Sequence, residues 1–597
     1  MIKSLAKYIG QYKKQMLLAP LLVLLDVIAE LSMPILMSKI VDEGIPAGDT
    51  GYIVKIGIYM ILLAMGAIFF GVANMKVSST AGQGFGANLR DALFKKVQSF
   101  SFANIDHFST GSLVTRLTND VNNLQNTLTM GIRLLLRAPM MLIVAMILAY
   151  RINARLSLVM AVAIPILGIA IALIMTNAKK LFTVMQTRMD ALNSTIQENL
   201  IGIRVVKSFV RQDYEKKKFK KSNDALTDAA IRAASLAVTN MPVMMLVVNA
   251  ATLAIIKIGG GLVINGVMMT GELISFISYI MQILVSVMML SMIFLMLARA
   301  EASGKRIIEV LETQVDITDP VELKDGSILL QKSTSAMDIS RNNSQVHPGK
   351  IEFKHVSFKY TVAGTGENVL SDINFIVNPG EIVGIVGGTA TGKTSLVNLI
   401  PRLYDVTEGA VLIDDVDVRN YKLDDLRKGI GMVLQQNTLF SGTIRENLLW
   451  GNENATQEEL EKVCKDAQAH SFITSFSQGY DTFLGQGGVN ISGGQKQRLY
   501  IARAMLKRPK ILILDDSTSA VDSATEEKIR KSFYSNFKDT TVLIIAQRIS
   551  SVSRADKILV LDDGKVMGLD SHTELMKSNR IYQEINTSQQ EGVLANG

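Results

Sequence analysis

The residues with the clearest chemistry lie at 381–395. EIVGIV (381–386) reads as a buried strand, GGTATGKTS (387–395) follows at once, and LVNLIPRLY continues as an apolar helix. The spacing G-x-x-x-x-G-K-[ST] between a strand and a helix predicts a phosphate-binding loop. Gly387, Gly388 and Gly392 let the backbone close around phosphates, together with Thr389, Ala390, Thr391 and Ser395 of the same loop. Backbone N–H groups and the helix N-terminus supply positive potential. Lys393 is expected to reach the outer phosphates, and Thr394 to place its hydroxyl on Mg2+. Downstream, ILILDD (511–516) reads as a second buried strand. It delivers Asp515, which can hold Mg2+ through water, and directly after it Asp516.

These residues need a soluble α/β scaffold, yet the chain as a whole is too apolar for one. It has 597 residues, 48% of them hydrophobic, with a mean hydropathy of +0.27, while 19% are charged. A membrane part joined to a water-facing part fits both figures. Apolar segments run at about 16–40, 53–76, 136–156, 157–176, 237–265 and 273–298, most of them near or above the roughly 20 residues that cross a bilayer. Asp26 and Glu30 fall inside the first. Charges at that depth should face protein or a wet cavity, which leaves a substrate path and a structural pair both open. The segments between the first and second and between the fifth and sixth spans lack Lys and Arg. The stretches 77–135 and 178–235 are long and basic, so they and both termini are expected in the cytoplasm; Arg151 and Arg155 in the short third outer loop run against this. The two inner stretches repeat apolar residues at helical spacing, with turns near 103–112 and 208–215. The net charge of +8 sits mostly in such loops, so a cytoplasmic bias explains it better than nucleic acid does. The only cysteine, Cys464, allows neither an internal disulfide nor a cysteine metal cluster.

The expected fold is an α-helical six-span transmembrane domain over 1–319, a polar linker over 320–350, an α/β P-loop nucleotide-binding domain over 351–585 and a polar tail over 586–597. The linker lacks period and aromatics, and from Ile351 short apolar strands alternate with glycine turns and helices.

Between the phosphate loop and ILILDD stands ISGGQKQRLYIARAML (491–506). In this order, behind six spans, these motifs resemble those of the ABC transporter family, and the whole chain is similar to an exporter-type half-transporter. The resemblance implies ATP and Mg2+ as ligands. It implies that Tyr360 stacks on adenine and that Gln435, beside Gln436, contacts Mg2+ and senses the membrane domain. Ser492, Gly493, Gly494 and Gln495 would belong to the signature that contacts the nucleotide bound by a second subunit, and Asp522 to the loop that crosses the dimer interface. It further implies alternating access and export across the plasma membrane, with the ATP-binding domain in the cytoplasm.

Three positions depart from the family pattern. Asp516 stands where glutamate is usual and is shorter by one methylene, a deficit of about 1.5 Å. A general base must reach the attacking water, and misplacement by about 1 Å can cost ~10²-fold. Gln547 stands where histidine is usual; its amide can hydrogen-bond but carries no titratable proton. Gln486 replaces a glutamate just before the signature. Asp516 and Gln547 both serve the nucleotide held by this chain, whereas its signature serves the other. The expectation is therefore a heterodimer in which this chain carries a degenerate, slowly hydrolysing site and a partner half-transporter brings the complete catalytic set. A working homodimer and a non-transporting ATP-dependent regulator are the alternatives. The Met-, Leu- and Ile-rich spans point to a hydrophobic or amphipathic substrate such as a drug, lipid or peptide.

Overall fold

The computed structural model describes residues 2–322, 328–329, 346–360, 366–517 and 521–594. These fall into two compact units, 1–98 with 111–313 and 99–110 with 314–597. Most of the linker expected at 320–350 lies outside the described residues.

The first unit is built from long apolar helices: α1 (Lys13–Lys39), α2 (Thr50–Gln98), and beyond a short α3 (Phe102–Phe108) that belongs to the second unit, α4 (Val121–Ile152), α5 (Ala154–Ile201), a short α6 (Ile203–Ser208), α7 (Gln212–Ile264) and α8 (Thr270–Glu312). Among the described residues, six helices are long and apolar enough to cross a membrane. The 49 residues of α2 make a rod of about 70 Å at ~1.5 Å per residue, more than twice the roughly 30 Å of a bilayer core. Ile61, Leu62, Met65 and Phe69 are exposed along it, as a lipid-facing surface requires.

The break between the third and fourth spans falls at Asn153, earlier than the boundary at 156/157 read from hydropathy. Asn153 is extended (φ −155°) and its side chain accepts from the Leu156 N–H at 3.1 Å. This N-cap ends one helix and starts the next inside a continuous apolar run. The second predicted turn is likewise two breaks, at Gly202 and at 209–211, that bracket α6.

Asp26 and Glu30 are resolved as partners of one cation. Arg137 of α4 donates from Nη1 to Asp26 at 2.5 Å and from Nη2 to Glu30. Pairing of this kind is what lets charged side chains persist at membrane depth. Further along α1, α8 donates to two of its helix carbonyls: Ser275 Oγ to Pro34 O at 2.7 Å and Tyr279 Oη to Leu31 O at 3.1 Å. Both donors are buried, so each hydroxyl finds a partner where water is absent.

The second unit holds two main sheets. One is antiparallel: β1 (Ile351–Phe358), β2 (Leu370–Val377), β4 (Glu408–Ile413) and β5 (Val416–Asp417), in the order β2-β1-β4-β5. The other contains β3 (Ile382–Val386), β6 (Ile430–Val433), β7 (Ile511–Asp515), β8 (Thr541–Ile545), β9 (Lys557–Asp562) and β10 (Lys565–Asp570), in the order β10-β9-β3-β8-β7-β6. The five strands from β9 to β6 run parallel. Every residue of β3 and β7 is buried, which is why both read as unbroken apolar runs rather than as alternating patterns. The last described helix is α12 (Arg580–Leu594); it continues through 586–594, residues whose polarity reads as a tail, while Ile581, Tyr582 and Ile585 seat its first half on the core.

Candidate functional site: the carboxyl edge of the parallel sheet

Ligands of open α/β sheets bind beyond the carboxyl ends of the strands. Register fixes what gathers at that edge. Asp515 pairs with Ile545, Ile545 with Ile385, and Leu514 with Val433. The residues that follow each strand therefore share one rim: Gly387 after β3, Asp516 after β7, Gln547 after β8 and Gln435 after β6. Gln435 occupies an exposed bend. Sequence motifs scattered over 160 residues thus become neighbours through strand order alone.

The phosphate loop joins β3 to α9 (Lys393–Asn398). Two of its glycines are sterically required. A Cβ on Gly387 would lie 2.1 Å from Leu561 O, and Gly392 has φ +90° with Val369 O at 3.0 Å from a Cβ. Gly388 is different, since a Cβ there would meet only Thr391 Cγ2 at 3.5 Å. Ala390 holds φ +63°, a strained value for a residue with a side chain that the sequence pattern did not signal. Thr391 Oγ1 donates to Gly388 O at 3.1 Å, and Lys393 Nζ folds onto the loop carbonyls of Gly387 (3.1 Å) and Gly388. Burial pushes the Lys393 ammonium below its ordinary pKa, while Asp515 and Asp516 oppose the shift. The cation thus sits over the loop carbonyls and faces the carboxylates of Asp515 and Asp516.

Asp515 is 1% exposed, and its Oδ2 is buried without a hydrogen-bond partner among the described residues. Burial raises its pKa, Thr394 opposes this through a side-chain hydrogen bond, and Asp516 adds to it. An orphaned buried carboxylate oxygen beside a Thr hydroxyl is costly unless a cation or its water completes it. The donor set fits Mg2+.

Asp516 sits at φ +47°, in the left-handed region that Asp tolerates better than most residues. Its N–H donates to Ile545 O at 3.1 Å. Its Oδ2 accepts from Gln547 Nε2 at 2.6 Å. Burial raises the Asp516 pKa, and the bond from Gln547 works against it. Two of the three residues that depart from the family pattern therefore bind each other.

Tyr360 follows β1, half-buried, with its hydroxyl 2.9 Å from Ser395 Oγ. Its ring meets Phe358 and Tyr404 edge-on, at centroid distances of 4.8 and 5.2 Å. The sequence reading missed Tyr404. Its hydroxyl donates to Asp106 Oδ2 at 2.7 Å, and its ring lies 6.1 Å from Phe102. Both belong to α3, whose start is capped reciprocally by Ser101 and Asn104. A cavity of about 530 Å³ opens here, between Tyr360, Tyr404, Lys359, Thr407, Asp106 and Ser101. Only the aromatic at the end of the apolar run after the loop, RLY, hinted at this contact; the structure ends α9 at Asn398, before the predicted helix reaches Tyr404.

The signature residues form a helix start. Ser492 caps α10 (Gly493–Leu506): it accepts from the Gln495 N–H at 3.3 Å, and Gln495 Oε1 accepts from the Ser492 N–H at 2.8 Å. Ser492 and Gly493 are exposed. Asp522 caps α11 (Ser523–Asn536) with a single bond, accepting from the Thr525 N–H at 2.9 Å, and this backbone bond lowers its pKa. Gln486 is exposed in a turn before the signature. Cys464 is fully buried, and burial pushes its thiol up to about 12.

Comparison with known proteins agrees with this architecture. Residues 16–287 match the family of the ABC transporter transmembrane region and residues 370–519 the ABC transporter family. An uncharacterized ABC transporter ATP-binding protein of Bacillus subtilis, YfiB, is 39% identical over 96% of both chains. A putative multidrug export ATP-binding/permease protein of the same organism, YgaD, is 32% identical over 98% of this chain and 99% of its own. A solved bacterial Atm1-family ABC exporter with ATP bound superposes with a TM-score of 0.78 over 97% of this chain and 99% of that one; at 23% identity it speaks for the fold alone. A six-span unit, an ATP-binding unit with its phosphate loop at the sheet edge, and relatives matched end to end make this chain a member of the ABC transporter family, an ATP-hydrolysing half-transporter of the exporter type.

Proposed function

We propose that the chain is the ATP-binding subunit of a heterodimeric exporter that moves amphipathic compounds out of the cytoplasm, and that its own ATP site hydrolyses slowly. The observation that carries this reading is the bond between Gln547 Nε2 and Asp516 Oδ2 at 2.6 Å. A carboxylate already short by one methylene is engaged by an amide, and that amide cannot exchange a proton with the γ-phosphate end as an imidazole can. The grip on ATP is otherwise complete. Lys393 and the loop N–H groups take the phosphates, Tyr360 supports the adenine, and Thr394, Asp515 and Gln435 would hold Mg2+, which supplies positive charge against the phosphates. Ser492, Gly493 and Gly494 are exposed or half-buried at a helix start, suited to a nucleotide carried by another chain, and Asp522 to the interface. Phe440 stacks on Trp450 at 4.3 Å, and both are exposed; an exposed aromatic pair favours cover by a partner chain. Membrane orientation follows loop charge, with both termini and the ATP-binding domain in the cytoplasm. The multidrug label of YgaD and the Met-rich spans favour a drug, lipid or peptide as cargo.

The purified chain alone, reconstituted in vesicles, is expected to bind ATP but to show no substrate-stimulated ATPase. Adding a second half-transporter with glutamate and histidine at the two altered positions should restore ATP-dependent efflux. Brisk stimulated turnover by the chain alone would overturn the heterodimer in favour of a homodimer. Nucleotide-dependent signalling without flux in the pair would favour a regulator.

A further inference from the structure

The loop that carries Gln547 is held from outside the site. Gln589 of α12 uses both ends of its amide on it: Nε2 donates to Gln547 O at 2.7 Å, and Oε1 accepts from the Ile549 N–H at 2.9 Å. Such a two-point bond fixes both position and tilt of the intervening peptides, which a single bond does not. The helix that delivers it is firmly seated. Tyr582 is fully buried, with its hydroxyl 2.6 Å from His572 Nδ1, and Gln583 Nε2 donates to Met576 O at 2.8 Å. Positions 582, 585 and 589 follow helical spacing on one face, so the apolar stripe that anchors α12 ends in the polar residue that meets the loop. From Gln547 the chain of bonds continues inward, through its side-chain amide, to Asp516. It therefore runs α12, Gln589, loop 547–549, Asp516.

We propose that Gln589 is a positioning residue for the γ-phosphate end of the nucleotide site: by clamping loop 547–549 it sets the Gln547 amide and, through it, the Asp516 carboxylate. The inference rests on reading Asp516 and Gln547 as that end of the site. Its consequence is selective. Adenine and the inner phosphates are held by Tyr360 and the phosphate loop, none of which the clamp touches. Loosening the clamp should therefore weaken ATP and spare ADP.

The test uses the full-length chain in lipid nanodiscs, with any chain it copurifies with. It is photolabelled on ice with azido-ATP, and the label on this chain is competed by ATP or by ADP. Gln589→Ala should raise the half-competing ATP concentration about tenfold, the order expected for one or two lost hydrogen bonds, and shift ADP less than about twofold. Gln589→Glu keeps an acceptor for the Ile549 N–H but sets an oxygen against the Gln547 carbonyl; it should give the same selective loss and decides the matter if the alanine variant does not fold. Gln547→Ala should reproduce the effect, and the double variant should add nothing further. Parallel weakening of ATP and ADP, or no change in either, overturns the proposal and reduces the clamp to a fold contact. If Gln547→Ala shifts the ATP-to-ADP ratio and the Gln589 variants do not, only the clamp is wrong. If Gln547→Ala leaves the ratio untouched, the assignment of Gln547 fails and the clamp fails with it.

Discussion

The two ends of the proposed nucleotide site rise from the same sheet and differ in what their side chains bind. At the phosphate loop every feature serves grip: Gly387 and Gly392 occupy places no side chain fits, Lys393 is centred on the loop carbonyls, and Asp515 presents an orphaned oxygen beside Thr394. At the ends of the next two strands, β8 and β7, Gln547 and Asp516 are turned toward each other. Gripping a triphosphate needs charge and N–H groups, which tolerate small shifts; cleaving it needs a base within hydrogen-bond reach of one water. A chain can lose the second capacity and keep the first. Replacing both altered residues, Asp516→Glu with Gln547→His, breaks the comparison most directly. Turnover of the nucleotide held by this chain should rise by about 10²-fold, read as labelled ADP recovered on this chain after a single-turnover pulse. If wild type already converts its nucleotide as fast as the engineered pair, the two ends are equally competent and the contrast is void.

The grip can be attacked separately. Lys393→Ala removes the charge at the loop centre and should weaken ATP binding by roughly 10- to 100-fold, the worth of a charge-assisted bond. The binding curve of azido-ATP on this chain checks it. The effect should be the same with Asp516 and Gln547 native or replaced, because the proposed reading gives hydrolysis and grip to different residues. A loss that depended on the state of the altered pair would tie the two ends together.

Much of this site was legible because its chemistry is local in sequence. The phosphate loop needs its glycines, lysine and threonine at fixed spacing, and β7 needs four buried aliphatics before Asp515. The six spans were legible for a similar reason, since a bilayer demands length and apolarity within one segment. What stayed hidden is non-local. Arg137 reads as a blemish in a weak span until it is seen between Asp26 and Glu30. Tyr404 reads as the end of an apolar helix until Asp106, 298 residues away in sequence, meets its hydroxyl. Gln589 reads as part of a polar tail, because only the fold brings loop 547–549 to it. The Asn153 boundary was missed because hydropathy is blind to a cap inside an apolar run.

The smallest expected effect lies inside the gripping end, between adjacent glycines that the motif treats alike. Gly387→Ala forces a Cβ to 2.1 Å from Leu561 O, a backbone atom of the neighbouring strand β9. Strand or loop must move, at a cost of about 1–3 kcal/mol. Gly388→Ala meets only the γ-methyl of Thr391 at 3.5 Å, an ordinary contact, and its stability should stay within about 0.5 kcal/mol of wild type. Denaturant unfolding of the full-length protein, followed by Trp450 fluorescence, separates them, since the sole tryptophan lies in the ATP-binding unit. Loss of stability at both positions would mean that backbone freedom, rather than the approach of Leu561, holds the loop. Loss at Gly387 alone would give the two glycines different physical reasons: one excludes a side chain because another strand passes too close, while the other leaves the folded chain indifferent, so that any demand on it comes from the phosphates.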